Sequence, residues 1–195
     1  MIVTLAVPEW LDEATATFDS FRSDAERMAG VIDLARRNVD AGTGGPFSAA
    51  IFDTDSGRLI AAGVNVVVPT NAAIAHAEAM AVAAAGQALG SFDLGTRGPT
   101  SLFASTEPCV MCMGVTVWSG VSRLVCAGRG ADAREIGFDE GPKHPDWVAE
   151  LEKRGITVER DLERGSSIEV LRHYLASGGD IYNAGEISIE DGDDA

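Results

Sequence analysis

Two short motifs about thirty residues apart constrain the fold of this 195-residue chain more than any other feature. The first is His76–Glu78 (HAE) and the second is Pro108–Cys112 (PCVMC). Their histidine and two cysteines form a ligand set that zinc binds, and the glutamate adds a carboxylate that need not be a ligand. For the three ligands to reach one ion, the fold must bring the two motifs together.

The residues that follow each motif predict a helix. The segment from Ala77 to Ala88 is rich in alanine, the best helix former, and the apolar segment from Val110 to Ser119 favours a second helix. Cys109 and Cys112 are three residues apart and would share a helix face. His76 can reach the same ion only if its helix points its N-terminus at the metal. The positive ends of both helices would then favour the thiolates that zinc requires.

A structural zinc site is one alternative, because such a site is closed by a fourth ligand, whereas a catalytic site keeps one position for water. The remaining cysteine and histidine residues are Cys126, His144 and His173. Cys126 lies in an apolar segment typical of a buried strand, where a free cysteine behaves as a small hydrophobic residue. The two histidines are expected at the surface. A closed site and a redox dithiol both leave Glu78 without a role.

The charge of the chain argues against a nucleic-acid partner. Its 30 acidic and 15 basic residues give a formal net charge of −15, whereas nucleic-acid binding depends on basic side chains that neutralise phosphates. A small uncharged substrate fits this balance better. Neither a signal peptide nor a run of ~18 apolar residues able to span a bilayer is evident. We therefore expect no membrane partner and a cytoplasmic protein, which also suits thiols that hold a metal.

The hydrophobic pattern predicts an α/β fold. Strands are expected at 47–53, 58–68, 101–105, 122–127 and 157–159, and helices at 9–22, 23–41, 77–88, 110–119, 146–153 and 167–176. The first two strands would form a hairpin, and the rest alternate with helices. This order predicts a three-layer α/β/α sandwich with a mixed five-stranded sheet. We expect a helical N-terminal extension at 1–22, one domain at 23–185 and a disordered acidic tail at 186–195.

The motifs resemble those of the cytidine deaminase-like superfamily, whose zinc-dependent members carry the pattern His-x-Glu…Pro-Cys-x-x-Cys. Within it the chain is most similar to bacterial guanine deaminases, through Gly44–Phe47 (GGPF), Asn65, Thr106–Cys112 (TEPCVMC), Trp118 and Ile136–Glu140 (IGFDE). The resemblance covers about residues 25–140 well and the remainder loosely. It implies that the domain at 23–185 is a zinc-dependent deaminase, which would hydrolyse guanine to xanthine and ammonia.

The resemblance also implies roles for individual residues. His76, Cys109 and Cys112 would hold Zn²⁺, and Glu78 would carry protons from water to a ring nitrogen and to the departing amine. Glu140 would be a second acidic residue that helps to recognise guanine and to move protons. The other substrate contacts would come from Asn65, Phe47, the backbone near Ala77, Trp118 and Tyr182.

Taken from the sequence alone, several of these positions have a second interpretation. Phe47 is equally a core residue at the start of a strand, and Trp118 is more simply a core residue than a pocket residue. Asn65 interrupts an apolar strand, where a polar side chain must be hydrogen-bonded, so contact with a ligand is favoured. Glu140 lies in an acidic loop and would otherwise be a solvated charge.

Guanine deaminases of this kind often exchange C-terminal segments between two subunits, which implies a homodimer in which Tyr182 closes a site. Three alternative functions stay open. The chain could deaminate another small ring, such as cytosine, a nucleoside, a pterin or a specialised heterocycle. It could be a tRNA adenosine deaminase, whose PCVMC stretch is very similar, or a non-catalytic module stabilised by zinc.

Overall fold

A mixed sheet of five strands forms the centre of the computed structural model, which describes residues 3–183. The predicted tail at 186–195 lies outside the described residues. The strands are β1 (Ser48–Asp53), β2 (Leu59–Val64), β3 (Thr100–Thr106), β4 (Arg123–Gly128) and β5 (Thr157–Glu159). Their spatial order is β2-β1-β3-β4-β5. β1 is antiparallel to β2 and β3, whereas β3, β4 and β5 run parallel. The predicted mixed five-stranded sheet is confirmed.

Helices cover both faces of the sheet, as an α/β/α sandwich requires. They are α1 (Trp10–Thr15), α2 (Asp24–Asp40), α3 (Val67–Thr70), α4 (Ala77–Leu89), α5 (Val110–Ser119), α6 (Gly130–Glu135), α7 (Trp147–Glu152) and α8 (Arg164–Ala176). Successive residues of β1 point to opposite faces. Ala50 and Phe52 therefore pack in the core with α2, and Ala49 and Ile51 pack in the core with α4.

The N-terminal extension contains less helix than the sequence predicts. Of the segment 9–22, α1 and a short 3-10 turn at Phe18–Ser20 are helical. Leu11 and Phe18 are nevertheless buried in the core beneath α2. The extension thus contributes to the same core as the first two strands. None of the described helices has the length and hydropathy needed to cross a bilayer.

The predicted second strand, 58–68, is wrong at its C-terminal end. β2 ends at Val64, and Val67–Thr70 form the single helical turn α3. Pro69 has no N–H to donate to a sheet ladder, and the N–H of Val66 bonds to the carbonyl of Ala75 outside the sheet. Asn65 therefore lies in the connection just beyond β2, at the sheet edge where β3 and β4 also end.

Candidate active site

The N-termini of α4 and α5 meet at this edge of the sheet, with His76 and Cys109 as their N-cap residues. Glycine at position 63 allows α4 to approach, because a Cβ there would overlap the backbone of Ala77 and Ala81. His76 Nδ1 lies 3.5 Å from Cys109 Sγ and 3.6 Å from the sulfur of the second cysteine, Cys112. The two predicted motifs are thus brought together.

These three side chains fit one zinc ion. Zn–S bonds of about 2.3 Å and Zn–N bonds of about 2.0–2.1 Å, in tetrahedral geometry, put the nitrogen and each sulfur about 3.6 Å apart. All three ligand atoms lie within 4.8 Å of one another, and no fourth cysteine, histidine, aspartate or glutamate of residues 3–183 belongs to the group. His173 instead contacts Asp40 at 2.7 Å, and Cys126 is buried in β4. The donor set is that of an open, catalytic zinc site.

The two thiols differ in their proton affinity. A hydrogen bond from Cys112, together with one from His76, lowers the pKa of Cys109 to about 4 despite its burial. The pKa of Cys112 is raised, first because it donates that hydrogen bond and then because it is buried. Cys109 is therefore already a thiolate at neutral pH, the form in which cysteine binds a metal.

Glu78 lies in the first turn of α4 and is buried beside this group. Burial, followed by the negative charge of Cys109, raises the pKa of Glu78 to about 6. It lines the cavity described below but is not part of the ligand group. A carboxyl group with a pKa near the working pH can both accept and return a proton, as general acid–base catalysis requires.

A cavity of about 230 Å³ opens next to the metal ligands. It is lined by Phe47, Ser48, Asn65, Val67, Ala73, His76, Glu78, Ser105, Thr106, Glu107, Cys109, Phe138, Asp139, Glu140, Tyr182 and Asn183. The structure thus places four of the predicted substrate-side residues, at positions 47, 65, 140 and 182, around the same space as the metal group. Sequence analysis did not identify Phe138 or Asn183, although the first lies in the quoted IGFDE motif.

Aromatic rings form one wall of this cavity. The ring centroid of Phe138 lies 5.0 Å from that of Phe47 and 4.9 Å from that of Tyr182. Both contacts are edge-to-face, an arrangement that stabilises aromatic clusters. Gly45 lies under Tyr182, and a Cβ on this glycine would overlap the tyrosine hydroxyl. The C-terminal segment therefore covers the cavity of its own chain.

Asn65 supplies a hydrogen-bond donor to the cavity. Its Oδ1 accepts the backbone N–H of Val67 at 3.2 Å, which orients the amide group. Its backbone N–H bonds to the carbonyl of Phe47 at 2.9 Å. Because Oδ1 is engaged by the backbone, the Nδ2 group is the one available to a bound molecule.

Glu140 brings a second buried carboxyl group. Burial, followed by the negative charge of Cys109, raises the pKa of Glu140 to about 8, so it holds its proton at neutral pH. Its Oε2 is buried without a hydrogen-bond partner among the described residues, as are the hydroxyl groups of Tyr182 and Thr106. Burial also raises the pKa of the Tyr182 phenol. An unsatisfied buried polar atom is costly, and a polar ligand would relieve that cost.

One of the expected substrate contacts is corrected by the structure. Trp118 is 81% exposed and is absent from the cavity lining, so both the core and the pocket interpretation are wrong for its own chain. The buried face of α5 carries Cys112, Thr116 and Ser119, and position 118 falls on the opposite side. The side chain of Ala77 is fully buried, and both of its neighbours line the cavity, so a contact from the backbone near Ala77 stays a prediction.

Known proteins resemble this chain in sequence and in fold. Residues 22–128 match the family model described as the cytidine and deoxycytidylate deaminase zinc-binding region. The guanine deaminase of Bacillus subtilis (strain 168) is 39% identical over 109 residues, which are 56% of this chain and 67% of that protein. A solved structure of the guanine deaminase from Nitrosomonas europaea is 44% identical, with a TM-score of 0.85, and the match covers 90% of this chain and 97% of that one. A tRNA-specific adenosine deaminase of Buchnera aphidicola is only 27% identical over 60% of this chain and 73% of that protein.

Proposed function

This chain belongs to the cytidine and deoxycytidylate deaminase family, and on that premise we propose that it is a zinc-dependent hydrolase that converts guanine to xanthine and ammonia. One observation carries the proposal. A three-ligand group that fits zinc adjoins an aromatic-walled cavity that is also lined by the buried carboxyl groups of Glu78 and Glu140. The first can act on water and the second can act on the substrate.

The chemistry divides between the metal and the chain. When bound by His76, Cys109 and Cys112, zinc supplies the Lewis acidity that makes water a usable nucleophile near neutral pH. Glu78 accepts the proton of the attacking water and delivers it to a ring nitrogen, which makes the amino-bearing carbon more electrophilic. The same carboxyl group then takes the remaining proton from the added hydroxyl, as the C=O bond forms and the C–N bond breaks, and gives it to the departing amine, which leaves as ammonia.

The opposite side of the cavity would hold the ring. Phe47 and Phe138 offer aromatic surface to a flat heterocycle. The Nδ2 group of Asn65 would donate a hydrogen bond to a ring nitrogen or to the exocyclic oxygen. Glu140, protonated at neutral pH, would donate to an acceptor on the purine edge and can exchange protons with it. The Tyr182 hydroxyl would add a further polar contact.

Homodimer formation and a cytoplasmic location are also part of this proposal. The apolar helix α5 supports the dimer, because Val110 is 42% exposed and Trp118 is 81% exposed on it, and paired subunits would cover such a surface. Tyr182 lies against the cavity of its own chain, and an exchange of C-terminal segments between two copies would preserve that contact. Thiol ligands are kept reduced in the cytoplasm.

Ammonia release by the zinc-loaded protein tests the function. The substrates would be guanine, adenine, cytosine, cytidine and a pterin, with Glu78→Gln as the matched variant that retains the ligand set. We expect guanine to give the highest kcat/KM and the variant to lose turnover of every ring. A higher kcat/KM for another ring would show that this ring, and not guanine, is the substrate. No turnover of any ring would refute the proposed deaminase function. Binding of tRNA at low salt would favour a tRNA deaminase, which the net charge of −15 opposes.

A further inference from the structure

A buried amide joins the two backbone segments that carry the substrate side of the cavity. Asn38, near the C-terminus of α2, is fully buried. Its Nδ2 donates to the carbonyl of Gly45 and to the carbonyl of Asn65, both at 2.8 Å. An amide NH₂ group has two hydrogens, and each is used for a different segment.

Both of these segments end at the cavity. Gly45 supports Tyr182 from below, and Phe47 follows two residues later. The carbonyl of Asn65 belongs to the residue whose side chain faces the cavity. The loop that contains Gly45 and the connection after β2 bond to each other through their backbones, and the Asn38 side chain adds one hydrogen bond to each of them. The loop and the connection after β2 approach each other closely at Gly44, because a Cβ on this glycine would overlap the Asn65 carbonyl.

The direction of the Asn38 amide is supported by a chain of hydrogen bonds that begins in the N-terminal segment. Trp10 Nε1 in α1 donates to Thr43 Oγ1 at 3.2 Å. Thr43 Oγ1 in turn donates to Asn38 Oδ1 at 2.8 Å. The two carbonyls can only accept and so require Nδ2 on their side, and the Thr43 hydroxyl supports the same orientation by donating to Oδ1.

We propose that Asn38 is a positioning residue for substrate binding and that Thr43, supported by Trp10, holds its amide in the working orientation. The inference rests on the proposed deaminase function, since it concerns how the substrate side is held. The metal group depends on the N-termini of α4 and α5 instead. Loss of the Asn38 contacts should therefore weaken binding more than it slows the chemical step.

Two pairs of variants test this in the zinc-loaded full chain. Asn38→Asp keeps the shape, but a carboxylate cannot donate to two carbonyls. We expect KM for guanine to rise about tenfold, which corresponds to two lost hydrogen bonds of moderate strength, while kcat stays within about threefold and the zinc content is unchanged. Thr43→Val should raise KM about threefold, and Thr43→Ser, which keeps the hydroxyl, should restore the wild-type KM.

Ser119→Ala is the matched control for a general loss of stability. It removes the bonds of Ser119 Oγ to the Thr116 carbonyl and from the Val121 N–H, both buried, at the far end of α5. We expect its KM to equal that of the wild type. An equal KM effect in Ser119→Ala and Asn38→Asp, or identical behaviour of Thr43→Val and Thr43→Ser, would overturn the proposal.

Amide hydrogen exchange separates this inference from the proposed function. The N–H of Gly45 bonds to the Asn65 carbonyl at 3.2 Å, and its exchange should accelerate in Asn38→Asp but not in Ser119→Ala. This result does not depend on any substrate. Failure of the wild type to deaminate guanine would refute the function alone, whereas unchanged exchange at Gly45 would refute the role of Asn38 alone.

Discussion

The metal side and the substrate side of the cavity are built in different ways. On the metal side, every group comes from the first turns of two helices, within the short motifs 76–78 and 109–112. On the substrate side, the groups come from four separate parts of the chain. These groups are Phe47 before β1, Asn65 after β2, Glu140 after α6 and Tyr182 after α8.

This difference shows what fixes the positions of the side chains on each side of the cavity. Helix geometry places the metal ligands, and it depends on neighbouring residues in the sequence. The substrate side has no such local frame and relies on long-range hydrogen bonds, of which those of Asn38 span 7 and 27 residues. Substitutions on the metal side should therefore change the chemical step, and substitutions on the substrate side should change binding.

Glu78→Gln should give the largest effect. Glutamine keeps the size of the side chain but cannot accept or return a proton. We expect kcat to fall about 10³–10⁴-fold, the upper range for general acid–base catalysis, with KM changed less than threefold. Steady-state kinetics with guanine and zinc analysis of the same sample measure both quantities. A tenfold loss or less would show that another group moves the proton.

The sequence was sufficient to predict the metal side because its information is local. Three ligands and Glu78 followed from two motifs and from the alanine-rich and apolar segments behind them. The substrate side was harder for a physical reason. Val66–Val68 is an apolar, β-branched stretch that periodicity alone assigns to a strand, whereas Pro69 and the bond from Val66 to Ala75 end the sheet.

Trp118 shows a second limit of the sequence. The hydroxyl residues of helix α5, Thr116 and Ser119, lie on its buried face, so polarity does not mark which side is exposed. Phe138 was missed as a single residue because its packing partners, Phe47 and Tyr182, are distant in the sequence. Such contacts are determined by the assembled fold. The family motif IGFDE was the only sequence signal that pointed to this position.

Gly45→Ala should give the next largest effect and tests whether Tyr182 acts on binding. The added methyl group would overlap the tyrosine hydroxyl and displace the ring. We expect KM to rise about tenfold with little change in kcat, since the metal side is untouched. Tyr182→Phe removes the hydroxyl alone and should raise KM about threefold, the cost of one moderate hydrogen bond. A drop in kcat with unchanged KM in either variant would contradict the division between the two sides.

Lys143 connects the two sides, and its replacement should affect both to a smaller degree. Its Nζ lies 3.2 Å from the Pro108 carbonyl, beside the metal ligands, and 3.5 Å from the buried carboxylate of Glu107. It follows Glu140 by three residues and thus ties that loop to the metal side. Lys143→Met should lower kcat and raise KM, each about threefold. The effect stays small because Glu107 keeps its 2.6 Å bond from Arg160.

Lys143→Arg is the matched control, because it keeps the positive charge and the donor. It should retain most of the wild-type kcat/KM. If Lys143→Met changed KM alone, the loop that carries Glu140 would belong wholly to the substrate side. If both variants had the kcat and KM of the wild type, the contacts of Lys143 would not contribute to activity.

The last and smallest effect concerns the stability of Glu140→Gln, apart from its effect on activity. The pKa of Glu140 in the folded chain is about 8, above the ordinary value of 4.5. Between these values the folded state holds a proton that the unfolded state releases, so the stability from this group is full below pH 4.5 and is lost as the pH rises through about 8. Glutamine never ionises and avoids that loss.

The melting temperatures of the metal-free variant and the metal-free wild type should therefore agree near pH 5 and separate at pH 9, with the variant higher. A change of 1 kcal/mol moves the melting temperature of a chain of this length by about 2–4 °C, so a separation of at least a few degrees is expected. Glu152→Gln, at an exposed position, controls for the loss of one negative charge and should show no such separation. A wild type that melts with the variant at pH 9 would mean that Glu140 has a stabilising partner when ionised. The ionised Glu140 on the substrate side would then have a partner even without substrate, just as the ligands on the metal side have a partner in their ion.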